Sequence, residues 1–368
     1  METKQISAPD SPILDLAELE RPALEAAFDA QGLERFRARQ IFRWIYRHGV
    51  TAFDAMTDLP QQLRAALAAG FTLTTPQIVT RERSVDGTEK FLLRLGDGNQ
   101  IESVFIPDTP AMTFCISTQV GCAMACRFCL TGKMGLVRNL TAGEIVGQVR
   151  VLADALDMRD KRFNLVLMGM GEPLHNYDET MKALRILADE HGLNVSPRRV
   201  TLSTVGLLPA LERLAREPLM PNLAISLHAP TDAIRGDLVP INKKYGVADI
   251  IDACKRFPLK RRSRITFEYV LLAGVNDAPD DARRLAKLLS GVKSKVNLIP
   301  LNAAPGIPFE RSSAEAIDRF AQILADHHLT VSVRKSRGWD IRAACGQLIV
   351  DGTRRSPGQH LATLAFGN

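Results

Sequence analysis

Three cysteines carry the strongest chemical signal in this sequence. Cys122, Cys126 and Cys129 lie in GCAMACRFC, separated by three and then two residues, on what reads as a loop just after a strand. Thiolates are soft ligands that suit iron–sulfur clusters or zinc. A structural zinc takes four protein ligands. This loop offers three, with no fourth Cys or His in a compact second half-motif. A zinc loop completed by a distant Cys or His is the competing reading. A four-iron four-sulfur cluster on three thiolates keeps one iron open. That iron can chelate the amino and carboxylate groups of S-adenosylmethionine (SAM). One injected electron would then cleave the sulfonium and release a 5′-deoxyadenosyl radical.

Other polar groups fall at the ends of expected strands. MGMGEP, residues 168–173, follows the second strand of an alternating pattern; Ser203 and Thr204 end the third; Ser226, Leu227 and His228 end the fourth; Asn302 ends the sixth. In a parallel β/α barrel all of these meet on the C-terminal face, where active sites form. Gly171 would let backbone approach a methionine amino group, with Glu172 accepting from it, while Ser203, Ser226 and Asn302 hold carboxylate and ribose. Each residue alone has a plainer reading. Gly169 and Gly171 serve a tight turn equally well, and His228 could be a satisfied core histidine. Joint placement is what favours a site.

The elements that must position these groups can be read from periodicity. Segments such as LAELERPALEAAFDAQG and ERFRARQIFRWIYRHG repeat apolar residues every three or four positions, with Gly32 and Gly49 as stops. The second is expected to turn Phe36, Ile41, Trp44 and Ile45 inward. QIVTRERSV, KFLLRL and QIESVFIP are short and strand-like, separated by Asp86-Gly87 and Gly96-Asp97-Gly98 turns. From MTFCIST onward strands and helices alternate, the first helix opening on a Thr141/Glu144 capping box. About six such units precede a last strand, TVSVRK. The expected fold class is therefore α/β, a partial (β/α)6 barrel with a small N-terminal helical domain and an antiparallel β extension. The expected divisions are 1–75 (helical, RNA-docking), 76–110 (hairpin extension), 111–338 (barrel) and 339–368 (C-terminal segment).

Composition narrows the class. Of the 368 residues 46% are hydrophobic and 24% charged, which predicts a sizeable buried core rather than a disordered chain. No apolar run of about 18 residues suggests a membrane span, and the first twenty residues lack the basic-then-apolar pattern of a secretion signal. Cytoplasmic residence is the expectation, with reduced thiols for the six cysteines. The net charge of +6 permits a polyanionic partner without demanding one. Basic residues bunch at Lys243-Lys244, Lys255-Arg256, Lys260-Arg261-Arg262-Arg264 and Arg334-Lys335-Arg337. They read either as solvated faces or as a basic rim around a phosphate backbone. Cys254 reads as core.

Taken together, QVGCAMACRFCLTGKMG, GMGEPLHN, TLSTVG, SLHAP and AACGQL resemble the RlmN family, the radical SAM enzymes that methylate adenine C2 in RNA. The resemblance spans about residues 15 to 350 and implies a set of roles. Cys122, Cys126 and Cys129 would hold the cluster. Gly171, Glu172, Ser203, Ser226, Leu227, His228 and Asn302 would bind SAM. Cys345 would be methylated by one SAM and then lose a hydrogen to the radical made from a second. The resulting methylene radical would add to adenine C2. Glu102 would remove the C2 proton, and Cys115 would release the RNA through a transient disulfide with Cys345. The implied partners are 23S rRNA, tRNA and a flavodoxin-type reductant, with a monomeric enzyme and no membrane. Such an apparatus suits its target: C2 lies between two ring nitrogens, is electron-poor, and is a poor nucleophile toward a sulfonium methyl group. The base must also be extruded from its stack.

Other readings stay open from the residues alone. Cys345 could be a small buried residue among Ala343, Ala344 and Gly346, and Cys115 could be core. Nothing in the strand pattern ranks Glu102 above Glu89. A sister family with the same cluster and carrier cysteine methylates adenine C8, and the overall resemblance favours C2. A radical enzyme acting on a protein or peptide, and a non-enzymatic RNA-binding protein with structural metal, are the further alternatives. Trp339, in SRGWDIRAACG, departs from the polar residue expected there.

Overall fold

A computed structural model of the chain describes residues 13–107 and 111–350. Residues 1–12 of the expected N-terminal domain and 351–368 of the expected C-terminal segment lie outside the described residues. The chain begins with a short parallel pair, β1 (Leu14–Asp15), which later pairs with β2 (Phe71–Thr72). Between them run α1 (Arg21–Ala30), α2 (Arg35–Tyr46) and α3 (Gln61–Gly70). Pro22 sits in the first turn of α1, where a missing amide costs no helical hydrogen bond.

The apolar stripe of α2 differs from the expectation. Its buried residues are Ala38, Ile41, Phe42, Ile45 and Tyr46, the 3–4–3–4 spacing of one helical face. Phe36 is 47% exposed and packs only beneath the Arg37 guanidinium, 4.5 Å from its ring. Trp44 is half-buried, donating to Asp58 and resting on His48. Residue type suggested an inward Phe36, but two residues of helix turn it about 200° from Ala38. The buried face meets both the N-terminal turn and the main domain: Tyr46 Oη donates to the Ala17 carbonyl at 2.9 Å, the Arg150 guanidinium lies over the Tyr46 ring at 5.8 Å, and a Cβ at Gly192 would lie 3.1 Å from Phe42.

A single ten-stranded sheet follows. Its first three strands are antiparallel: β3 (Gln77–Arg83), β4 (Glu89–Arg94) and β5 (Gln100–Ile106). The next, β6 (Thr113–Cys115), pairs antiparallel with β5 and parallel with the strand on its other side, so it joins the extension to the barrel. A ribbon the sequence reading lacked comes next: β7 (Gln119–Gly121) and β8 (Leu136–Asn139), flanking the cysteine loop and the short α4 (Leu130–Met134). The barrel proper then alternates: α5 (Ala142–Ala155), β9 (Asn164–Leu167), α6 (Tyr177–Ala188), β10 (Val200–Thr204), α7 (Leu208–Leu214), β11 (Asn222–Ser226), α8 (Asp232–Leu238), α9 (Val247–Arg256), β12 (Ile265–Leu271), α10 (Pro279–Leu288), β13 (Ser294–Pro300), α11 (Ala314–Asp326) and β14 (Thr330–Val333). Strand order β14-β13-β12-β11-β10-β9-β6-β5-β4-β3 makes it a partial barrel of six parallel strands, extended by β14 at one edge and the antiparallel strands at the other. The second addition to the expected pattern is α8, wedged between β11 and α9.

The α5 cap is formed as expected. Thr141 Oγ1 accepts from the Glu144 amide at 3.2 Å, and the Glu144 carboxylate accepts from the Thr141 amide at 3.0 Å. Most buried apolar residues join one core under the sheet, but Met124, Phe128, Leu238, Val239, Leu272 and Leu301 form a second cluster with Cys122 and Cys126. The cysteine loop thus has an apolar floor of its own. Among the described residues no helix is long and apolar enough to cross a membrane.

The α2 stripe makes a simple test. Phe42→Ala empties a fully buried site and should cost about 3–5 kcal/mol. Phe36→Ala should change stability by less than about 0.5 kcal/mol. Urea unfolding of both variants checks the assignment, and equal losses would refute it.

Candidate active site

Two cavities open at the C-terminal ends of the barrel strands. The larger, about 910 Å³ including its open mouth, is walled on one side by Cys122, Cys126 and Cys129. Facing them are Gly171 and Glu172 after β9, Ser203 on β10, Ser226 and His228 at the end of β11, and Asn302 after β13. The smaller, about 490 Å³, is lined by Val104 and Ile106 of β5, Cys115 of β6, Leu348 and the 334–337 segment. Met168, Ile299, Asn302, Arg334 and Cys345 line both. Cys345 therefore stands at the junction, with Cys122, Cys126 and Cys129 on one side and Cys115 on the other.

Backbone geometry explains how the cysteine loop is held. Gly121 has φ +78°, and a Cβ there would lie 1.8 Å from the Gly135 carbonyl oxygen. That carbonyl accepts from the Cys122 amide at 2.9 Å and closes the loop. The loop rests on α8 through the Arg127 amide and the Leu238 carbonyl, 3.0 Å apart. Burial pushes all three thiols upward, Cys126 well above its ordinary value. As free thiols they are neutral, and a cationic metal core is what would hold them as thiolates. Among the described residues no three Cys, His, Asp or Glu side chains converge closely enough for one metal ion. Three thiols around a shared cavity wall fit a multi-iron cluster better than a single zinc.

The opposite wall is made of groups already partly committed. The Glu172 carboxylate accepts from the Leu174 amide at 3.0 Å and the Val205 amide at 2.9 Å, stitching the loop after β9 to the loop after β10. Burial raises its pKa to about 7. Gly171 has φ +105° and presses against Gln119, leaving 2.6 Å between a hypothetical Cβ and the Gln119 Cβ. Ser203 and Ser226 hydroxyls are 3.2 Å apart. His228 Nδ1 accepts from the Val270 amide at 3.1 Å, so the neutral ring carries its proton on Nε2. Burial lowers its pKa to about 3, and the ring packs edge-on to Phe128. His228 is thus both a satisfied buried histidine and a cavity residue. Asn302 Nδ2 donates to the Cys345 carbonyl at 3.2 Å, so it also positions the Cys345 segment.

Two residues of the expected set do not line either cavity. Leu227 is fully buried; its amide donates to Glu268 and its carbonyl accepts from Arg235, so it presents no side chain to the site. Glu102 lies one layer behind the smaller cavity. Lys90 Nζ is 3.1 Å from one carboxylate oxygen, and the Ile349 amide donates to the other at 2.8 Å, next to the cavity residue Leu348. Burial raises the Glu102 pKa. Alternation on β5 puts Glu102 on the face of Val104 and Ile106, whereas Glu89 is taken up by Arg81.

Sequence reading missed Arg334 and Glu268. Arg334, counted only as part of a basic bunch, is half-buried and lines both cavities; charge on Cys345, above all, holds its pKa up. Glu268, mid-strand on β12, lines the larger cavity and accepts from Asn297 at 2.6 Å. A charged residue inside an otherwise apolar strand was the available signal. The basic bunches also divide. Lys335 and Arg337 flank the smaller cavity, but Lys260 and Arg264 precede β12 and, with Arg198, line a groove at the N-terminal ends of the strands. One continuous basic rim is not what the fold makes. Trp339 is 64% exposed and packs against no core. Cys254 is buried in α9, as expected of a core residue.

Comparison with known proteins agrees with this geometry. Residues 116–288 match the Radical SAM superfamily, and residues 14–73 match the ribosomal RNA large subunit methyltransferase N-terminal domain. The chain is 52% identical over 336 residues to the dual-specificity RNA methyltransferase RlmN of Geobacter sulfurreducens, covering 91% of this chain and 92% of that one. It is 48% identical over 373 residues to the protein of the same description from Rhodospirillum rubrum, covering 99% and 87%. A crystal structure of a radical SAM methyltransferase from Sphaerobacter thermophilus superposes with a TM-score of 0.87 at 50% identity, covering 91% of this chain and 99% of that one. The chain belongs to the RlmN family of radical SAM RNA methyltransferases.

Proposed function

We propose that this protein methylates C2 of adenine in 23S rRNA and in tRNA, with Cys345 as the carbon carrier. The position of Cys345 between the two cavities carries the reading. Cys122, Cys126 and Cys129 would hold a four-iron four-sulfur cluster, with SAM between it and Gly171, Glu172, Ser203, Ser226, the Leu227 main chain, His228 and Asn302. When bound, the cluster supplies one electron to the SAM sulfonium and recovers one at the end of the cycle. Two SAM molecules are used per turnover.

Cys345 loses its thiol proton and takes the methyl group of the first SAM. The 5′-deoxyadenosyl radical derived from the second SAM would take one hydrogen atom from that methyl to become 5′-deoxyadenosine, leaving a methylene radical on Cys345 that adds to adenine C2; the adduct would then give up one electron and the C2 proton. Glu102 accepts the C2 proton, its carboxylate held by Lys90 and the Ile349 amide. Cys115 then attacks Cys345 Sγ: an S–S bond forms, the S–C bond breaks, and the proton given up by Cys115 completes the product methyl. Two thiols lining one cavity suit this release step. Arg334, which faces both, would stabilise each sulfur while it is anionic. A flavodoxin-type donor, a monomeric enzyme and cytoplasmic residence complete the reading. The C2 choice over C8, and over a peptide substrate, is supported by relatives described as RlmN across nearly the whole chain.

The decisive experiment is anaerobic reconstitution with deuteriomethyl-SAM and rRNA or tRNA fragments, followed by mass mapping. The mechanism requires a product methyl with two deuteriums and one solvent hydrogen at C2. Three retained deuteriums, or label at C8, would overturn it. Variants separate the roles. Cys345→Ala should give no methylated RNA, and activity surviving that change would favour a peptide substrate. Cys115→Ala should trap RNA covalently on Cys345, visible as a shifted band in denaturing gels.

The cavity geometry adds a reactivity prediction. Burial pushes the Cys115 thiol up to about 12, and Cys345 is partly exposed. Iodoacetamide at pH 8 should therefore label Cys345 in cluster-loaded protein while Cys115 and Cys254 stay protected until denaturant is added. Peptide mass mapping reads the order, and equal labelling of Cys115 and Cys345 would contradict it.

A further inference from the structure

Arg235 is fully buried on α8 and its guanidinium meets only neutral oxygens. Nε donates to the Leu227 carbonyl at 3.0 Å and one Nη to Asn242 Oδ1 at 2.9 Å. The other Nη reaches the Val205 carbonyl at 2.6 Å and the Ser226 carbonyl at 3.2 Å. Among the described residues no carboxylate forms an ion pair with it. The nearest acid, Asp232, lies behind Asn242, which donates to its Oδ1 at 2.9 Å. Burial lowers the Arg235 pKa to about 10, so it stays charged at neutral pH.

A buried cation with no directly paired carboxylate is costly to keep. The carbonyl contacts alone do not require it, because they could be met by neutral donors. The guanidinium sits behind a wall of the larger cavity: its partners Val205 and Ser226 line that cavity together with Cys126, the Arg127 amide of the cysteine loop is bonded to the Leu238 carbonyl one turn along α8, and Cys126 is the foremost charge that favours the protonated guanidinium. A four-iron four-sulfur core on three thiolates carries one net negative charge when oxidised and two when reduced. Reduction thus adds negative charge beside a fixed positive one in a low-dielectric site, where such pairs interact strongly.

We propose that Arg235 is the buried counter-charge of the cluster, raising its reduction potential while stapling the loops after β10 and β11. This rests on the assignment of Cys122, Cys126 and Cys129 as ligands. Arg235 is a positioning and tuning residue, since it touches neither substrate nor the reacting atoms.

The test is an anaerobic redox titration of the reconstituted full chain, followed by the electron paramagnetic resonance of the reduced cluster. Iron and sulfide content and the wild-type signal check the ligand assignment separately. Arg235→Gln, which keeps hydrogen-bonding capacity and loses the charge, should make the cluster harder to reduce. The expected fall in the reduced-to-oxidised ratio at fixed potential is about tenfold, equivalent to about 59 mV for one electron. Arg235→Lys should restore most of that shift. Asp232→Asn keeps the Oδ1 acceptor and removes a negative charge, so it should shift the potential the other way, by less. A structural role alone would not give opposite signs. A fully loaded Arg235→Gln protein with the wild-type potential would overturn the proposal. If that variant does not load the cluster, an unchanged potential in Asp232→Asn overturns it equally.

Discussion

The closure of one fourteen-residue segment, 122–135, is the constraint on which the site depends. Three cysteines at this spacing can face one cavity only if the chain turns back between β7 and β8, and that turn brings two backbones within contact. Gly121 meets the Gly135 carbonyl so closely that any side chain would be expelled, and Ala125 is held at φ +53°. Such a left-handed alanine costs free energy that the surroundings must offset. Here the offset comes from apolar packing beneath Met124 and Phe128 and from the anchor onto α8.

The same loop fixes the carrier segment. The Leu130 amide donates to the Gly346 carbonyl at 2.8 Å, and Thr131 Oγ1 donates to the Leu348 carbonyl at 2.6 Å. Cys345 is thereby tied to the residues that directly follow Cys129. Its other flank is tied to the antiparallel extension. Asp340 accepts from Ser84 Oγ at 2.5 Å and the Val85 amide at 3.1 Å, and Asp86 accepts from the Gly338 amide at 3.0 Å. The strands before the barrel therefore do more than cap a sheet edge. They hold one end of the segment whose cysteine must reach both cavities, and tethers at both ends limit how far it can stray.

What the sequence disclosed follows from what spacing can encode. The cysteine spacing gave three thiols on one cavity wall, the hairpin turns gave the extension, and Thr141 with Glu144 gave a helix start, because each is a local property of a few residues. Orientation in space was less legible. Phe36 was placed by residue type although the period of α2 points it outward. The seven residues of α8 are too short to show a helical period, and without α8 the role of Arg235 is invisible. Bunched basic residues looked like one rim, yet a chain that crosses the barrel between strand and helix sends neighbouring bunches to opposite ends. Arg334 belonged to such a bunch, and what separates it from Lys335 and Arg337 is that it alone of them lines both cavities.

Burial also sets the charges around the cavities before any ligand arrives. His228 is held neutral, Glu268 and Glu172 are pushed toward their neutral forms, and Arg235 and Arg334 remain cationic. The walls are therefore biased positive around sulfur atoms that the proposed mechanism would use as anions. Fixed dipoles and charges stabilise a developing charge without reorganising at the moment of reaction. In the proposed mechanism an electron entering a thiolate-bound cluster and a thiolate forming at Cys345 would both add negative charge here, and both would meet a guanidinium already in place. Single-electron steps and thiol chemistry could then share one small site because the same electrostatic bias would serve each of them.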